Sequence, residues 1–142
     1  MALVHLAFGQ PKHGWVEVHL SIGGKSIEFV ASDVPNNPMQ QLVDALALSS
    51  RGLEATVWWH LEPDGYYFKF SPLQSQVQLE CTFAAASKNS SESEVASVVG
   101  SREGVLLPIW RALRFFQSLC HDARDWPPVS FEGLENSREV LR

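Results

Sequence analysis

The segment from Trp15 to Ala31 constrains this chain most tightly, because it admits one strand pairing and fixes one buried face. Val16, Val18, Leu20 and Ile22 alternate with Trp15, Glu17, His19 and Ser21, and a second alternating run follows Gly23-Gly24. Two consecutive glycines supply the positive φ angles of a two-residue hairpin turn. That turn pairs Ile22 with Lys25, Leu20 with Ile27, Val18 with Phe29 and Val16 with Ala31. All the apolar residues then fall on one side, and a slip of one residue would put every one of them in water.

The rest of the chain organises around this hairpin. Asn37 is a good helix N-cap and Pro38 a good first helical residue. Met39, Leu42, Val43 and Leu46 then recur at helical spacing, which predicts a helix over 38–50, with Gly52 as its stop. A second hairpin is expected around Asp64-Gly65, pairing Leu61 with Phe68 and Trp59 with Phe70, with Pro72 ending its second strand or breaking its edge. A fifth strand is predicted over 76–84, where Val77, Leu79, Cys81 and Phe83 share one parity. The Ser/Glu-rich stretch 87–101 reads as a flexible, solvated loop. A long amphipathic helix is expected over about 105–122, carrying Leu106, Ile109, Trp110, Leu113, Phe116 and Cys120 on one stripe. Pro108 fits that helix only in its first turn. A C-terminal tail follows from about 126, with Phe131 and Leu134 available to dock it. The sum is one α+β domain over 1–142: an antiparallel-rich, five-stranded sheet in the order ββαβββα, with two helices packed on one face. Its expected core holds Val18, Leu20, Phe29, Val57, Trp59, Phe68, Phe70, Leu79 and Leu113.

Composition narrows the function. Apolar residues make up 45% of the 142 and charged residues 19%, which excludes a disordered chain or a disulfide scaffold. The net charge of -5, with basic residues scattered, argues against nucleic acid as a partner. The N-terminal apolar run lacks the basic start of a signal peptide and stops at Gly9, so a cytoplasmic location without membrane attachment is expected. Cys81 and Cys120 both sit at core positions and read as buried free thiols. No HExxH, CxxC, GxSxG or phosphate loop occurs, and the expectation is no enzyme, no cofactor and no metal.

The hairpin registers also define the face of the sheet opposite the core. Trp15, Glu17, His19 and Glu28 come to it from the first hairpin, Trp58, His60, Tyr67 and Lys69 from the second, and Glu80 and Gln78 from the fifth strand. Solvated sheet faces are ordinarily plain polar. Two tryptophans and a tyrosine mixed with charges match either a second small core under the chain termini or a protein-binding surface. The expected partner site is therefore Trp15, Glu17, His19, Glu28, Trp58, His60, Tyr67, Lys69 and Glu80. A small-ligand site or enzyme pocket between sheet and helices, or an aromatic face used for homodimerisation, are the alternatives.

Gly14-Trp15 opening a strand, Ser32-Asp33-Val34-Pro35 before a short helix, and Trp59 to Tyr66 across a hairpin resemble a pattern of small bacterial proteins. Those proteins are similar to the immunity proteins of polymorphic-toxin and contact-dependent inhibition systems. The resemblance spans about 14–122 and rests on structural positions, so it brings no catalytic residue with it. It implies a cytoplasmic protein that binds and neutralises a cognate toxin.

Overall fold

The computed structural model describes residues 3–87, 90–138 and 141. Its elements are β1 (Val4–Phe8), β2 (Trp15–Ile22), β3 (Lys25–Ser32), α1 (Pro38–Ser50), β4 (Ala55–His60), β5 (Gly65–Leu73), β6 (Gln76–Ala84), β7 (Glu92–Ser101), α2 (Arg102–Ser118) and α3 (Glu132–Arg138). The seven strands pair in chain order, every neighbour antiparallel. The fold is α+β, with seven strands and three helices among the described residues where the sequence pattern indicates five and two.

The first hairpin has the expected register throughout, with Gly23 at φ 57° and Gly24 at φ 78°. Helix α1 has the expected bounds, and the Asn37 side chain accepts hydrogen bonds from the Met39 and Gln40 amides. All nine expected core residues are buried.

The second hairpin differs from expectation by a slide of four residues: Trp59 lies opposite Tyr66 and Val57 opposite Phe68. A two-residue turn at Asp64-Gly65 would have put Pro63 in the ladder, where it has no N–H to donate. The connection is instead the longer loop 61–64, in which the Asp64 carbonyl accepts from the Leu61 amide at 2.7 Å. An even slide keeps every side chain on its face, so the core survives the changed register.

Three more expectations are corrected. The stretch 87–101 is not a loop along its length, since β7 occupies Glu92–Ser101 and pairs along β6; Lys88 and Asn89 lie outside the described residues. A β-bulge skips Val95 opposite Cys81/Thr82, and this breaks the alternation that would have marked the strand. Helix α2 starts at Arg102, capped by Ser101 Oγ on the Gly104 amide at 2.9 Å, and ends at Ser118. Pro108 therefore sits in its second turn, beyond the first turn to which the sequence confined it, leaving the Gly104 carbonyl without its usual helical donor. The tail docks through the residues expected, with Leu134 buried and Phe131 half-buried, and it forms α3, a helix that the sequence pattern does not indicate; Trp126 is also buried, and Trp110 Nε1 donates to the Leu134 carbonyl at 2.9 Å.

The sheet is rolled. Across four strand steps of about 4.8 Å, a flat sheet would hold β3 roughly 19 Å from β7. Yet Lys25 Nζ, just past the hairpin tip, donates to the Val95 carbonyl at 3.1 Å, and a Cβ added to Gly23 would stand 2.5 Å from the Ser97 carbonyl oxygen. Aromatic rings fill the inside of the roll: Phe29 stacks on Tyr66 at 4.7 Å and meets Trp59 edge-on at 5.9 Å. Helices α1 and α2 bury Leu42, Leu46, Leu106, Leu113 and Phe116 against the same interior.

The hairpin tip offers a clean test of this closure. A Cβ at Gly24 meets nothing within 4 Å, whereas one at Gly23 strikes the β7 backbone. Gly24→Ala is expected to cost about 1 kcal/mol through its left-handed backbone alone, and Gly23→Ala distinctly more. Equal losses in urea denaturation would mean that the tip does not rest on β7.

Candidate functional site

The outer face of the sheet carries the residues that parity placed there, in two groups joined by a single bridge. On β2 and β3, a turn with His13 at φ 52° and Gly14 at φ 80° presents Trp15. The turn is pinned by the Gly14 amide donating to the Asp125 carbonyl at 2.8 Å and the His13 amide to the Asp125 carboxylate at 3.1 Å. Trp15 is 37% exposed despite this firm anchor. Glu17, His19 and Glu28 follow on the same face, with His19 Nδ1 at 3.2 Å from Glu28 and Nε2 at 3.8 Å from Glu17. Val30 continues the row and is 46% exposed. These groups enclose a shallow depression of about 250 Å³. Each member of the His19 cluster is well exposed, so the cluster adds little to stability.

The second group is occupied by the protein itself. Trp58 is 6% exposed, packed on Tyr67 at 4.7 Å, with its indole N–H donating to His60 Nδ1 at 3.0 Å. Gly65 is required beneath it, because a Cβ there would collide with the Trp58 ring and the Trp59 carbonyl. The Tyr67 hydroxyl donates to the Ser87 carbonyl at 2.5 Å, which ties it to the first part of the β6–β7 connection. Lys69 lies 5.4 Å from the Tyr67 ring and pairs with Glu92, whose carboxylate also accepts from Thr82 Oγ1 at 2.9 Å. The bond from Lys69 is the main reason that Glu92 is held below the usual carboxylate range. Glu80 and Gln78 are half-buried on the neighbouring strand.

One flat surface carrying both groups is therefore corrected. The roll sets β2–β3 and β4–β6 on different parts of a curved wall, and among the described residues the ladder between β3 and β4 consists of the Ser32–His60 pair. Trp58 is also removed from the accessible set. Val30 was legible from the alternation of its strand. Glu92 was not, because its segment reads as solvated linker.

The two thiols part company. Cys81 is buried, and desolvation pushes its thiol up to about 12. Cys120 is exposed beyond the end of α2, contrary to the expected stripe, because the helix stops at Ser118. No group of three or more potential metal ligands forms among the described residues, and none of their helices is long and apolar enough to cross a membrane. No protein-family model, curated protein or solved structure matches the chain.

Two outcomes follow from this geometry. Trp58→Ala should destabilise the protein by about 3 kcal/mol, read as a lower denaturant midpoint; an unchanged midpoint would show the ring to be free. In a thiol titration of the native protein, Cys120 should react at once and Cys81 only after denaturation. Two fast equivalents would contradict the burial of Cys81.

Proposed function

We propose that the chain is a non-catalytic protein-binding domain whose contact surface is the outer face of β2 and β3, centred on Trp15, Glu17, His19 and Glu28. The observation that supports it most is Trp15: a large aromatic ring left partly in solvent on a turn that five hydrogen bonds hold in place. Such a ring is already ordered, so a partner that covers it loses little conformational freedom in doing so. Val30 extends the apolar contact, and the carboxylates of Glu17 and Glu28 rim it. This arrangement has the aromatic centre and polar margin of an interaction hot spot.

The chain's acidic balance and this rim suit a basic partner, and the resemblance to immunity proteins suggests a cytoplasmic protein that binds a cognate toxin and neutralises it. The candidate partner is the product of an adjacent toxin-like gene. With that protein in hand, Trp15→Ala is expected to weaken binding by about 2 kcal/mol at an unchanged thermal midpoint. Glu17→Gln with Glu28→Gln should mainly slow association at low salt. Full affinity in Trp15→Ala would move the contact surface off this face.

A further inference from the structure

We propose that the free edge of β1, together with the facing side of α2, is a second docking site that takes an extended, acidic segment of a partner polypeptide as an eighth strand. This inference stands apart from the β2–β3 surface and uses none of its residues.

A strand at the end of a sheet turns every second pair of backbone N–H and C=O groups away from its neighbour. β1 pairs only with β2, and among the described residues nothing hydrogen-bonds to its other edge. The opposite end of the sheet is guarded in the ways that prevent strand addition. β7 carries Glu92 and Glu94, contains the bulge at Val95, and has the first hairpin's tip seated against Ser97. Val4-His5-Leu6-Ala7-Phe8 has no lysine, proline, carboxylate or bulge; Leu3 just before it packs at Gly100 of β7 and Gly104 of α2, and the outer edge from Val4 to Phe8 has no backbone partner among the described residues.

The space beside that edge suits a strand. A groove of about 450 Å³ runs between β1 and α2, with His5 and Ala7 on one wall and Pro108, Arg111, Ala112 and Phe115 on the other. The small side chains of Ala7 and Ala112 leave room at the level of the backbone. Phe115 is 55% exposed, and it offers an apolar surface to alternate side chains of an added strand.

Charge selects the occupant. The lining of the groove contains no carboxylate; its ionisable groups are His5 and Arg111. Arg111 makes no ion pair among the described residues, although the chain carries a net charge of -5. A second copy pairing edge to edge would bring another carboxylate-free groove against the first. An added strand with an Asp or Glu opposite Arg111 meets the free guanidinium with a charge-assisted hydrogen bond.

The test is selection of the folded chain against a displayed library of random seven-residue peptides, followed by NMR titration with the enriched peptide. The expected peptide alternates apolar residues and carries an acidic one, and it shifts the amide signals of Val4 to Phe8. Arg111→Glu, a surface change, should lower its affinity about tenfold and favour the same peptide with Lys in place of the acid. Sedimentation of the free chain should show a monomer. The proposal is overturned if no peptide is enriched, if the shifts fall elsewhere, if Arg111→Glu leaves charge preference unchanged, or if the chain forms a dimer that Arg111→Glu or Phe115→Lys dissociates.

Discussion

A single residue pair, Ser32 with His60, carries the sheet from β3 to β4, and the shape of the molecule follows from that narrow join. Beyond it the two strands diverge, which leaves the edge of β4 in need of partners. The start of α1 supplies them. Gln41 Oε1 accepts from the Trp58 amide at 2.9 Å, and Asn36 Nδ2 donates to the Trp58 carbonyl at 3.0 Å. Asn36 Nδ2 also donates to Gln41 Oε1 at 2.7 Å, so two side-chain amides stand where a strand would otherwise run. A buried backbone group without a partner costs about 1–3 kcal/mol; these two amides remove that cost and let the sheet bend at this point. The bend brings Phe8, Phe29 and Phe68 around Trp59, at 6.1, 5.9 and 5.2 Å.

That bend also decides which outer residues stay accessible. Close to the join, Trp58 and Tyr67 cover one another and are tied down by His60 and the Ser87 carbonyl. Farther along the wall, on β2 and β3, Trp15, Glu17 and Glu28 remain exposed among the described residues. Parity puts both groups outside the core, yet parity cannot say whether an outer ring meets water or a returning loop. The β4–β6 part of the wall is covered, by the mutual packing of Trp58 and Tyr67 and by Ser87 rather than by the expected chain termini, while Trp15, Glu17 and Glu28 on β2–β3 stay exposed.

The sequence was most legible where local rules agree. Gly23-Gly24, the alternation on both sides and the Asn37-Pro38 start each act within a few residues, and each gives the structure found. It was less legible where a non-local or irregular feature intervenes. Pro63 excludes itself from the ladder and lengthens the second turn. The bulge at Val95 scrambles the period of β7 beneath a Ser/Glu composition. β1 alternates Val4, Leu6 and Phe8 cleanly, but it is short and was read only as an apolar run. Cys120 missed the core because α2 starts three residues early and ends four early, and no residue in the sequence marks that stop. Of the candidate site, Trp15, Glu17, His19 and Glu28 were readable from one hairpin. The loss of Trp58 depends on its packing against Tyr67, which no spacing rule encodes.

The unequal ends of the sheet have the same origin as its roll. A flat seven-stranded sheet would leave both terminal strands open, and each would need protection against pairing with other chains. Because this sheet curls, β7 comes against the β2–β3 tip and is partly covered by its own chain. At the other end the curl brings Leu3, just before β1, against Gly100 of β7 and Gly104 of α2, while Val4, Leu6 and Phe8 point into the core and no backbone bond reaches the outer edge of β1 among the described residues. The backbone groups of α2 are mostly paired within the helix, and none of them bonds to β1 among the described residues. Burial of the β1 side chains is thus achieved without a backbone partner for its outer edge among the described residues.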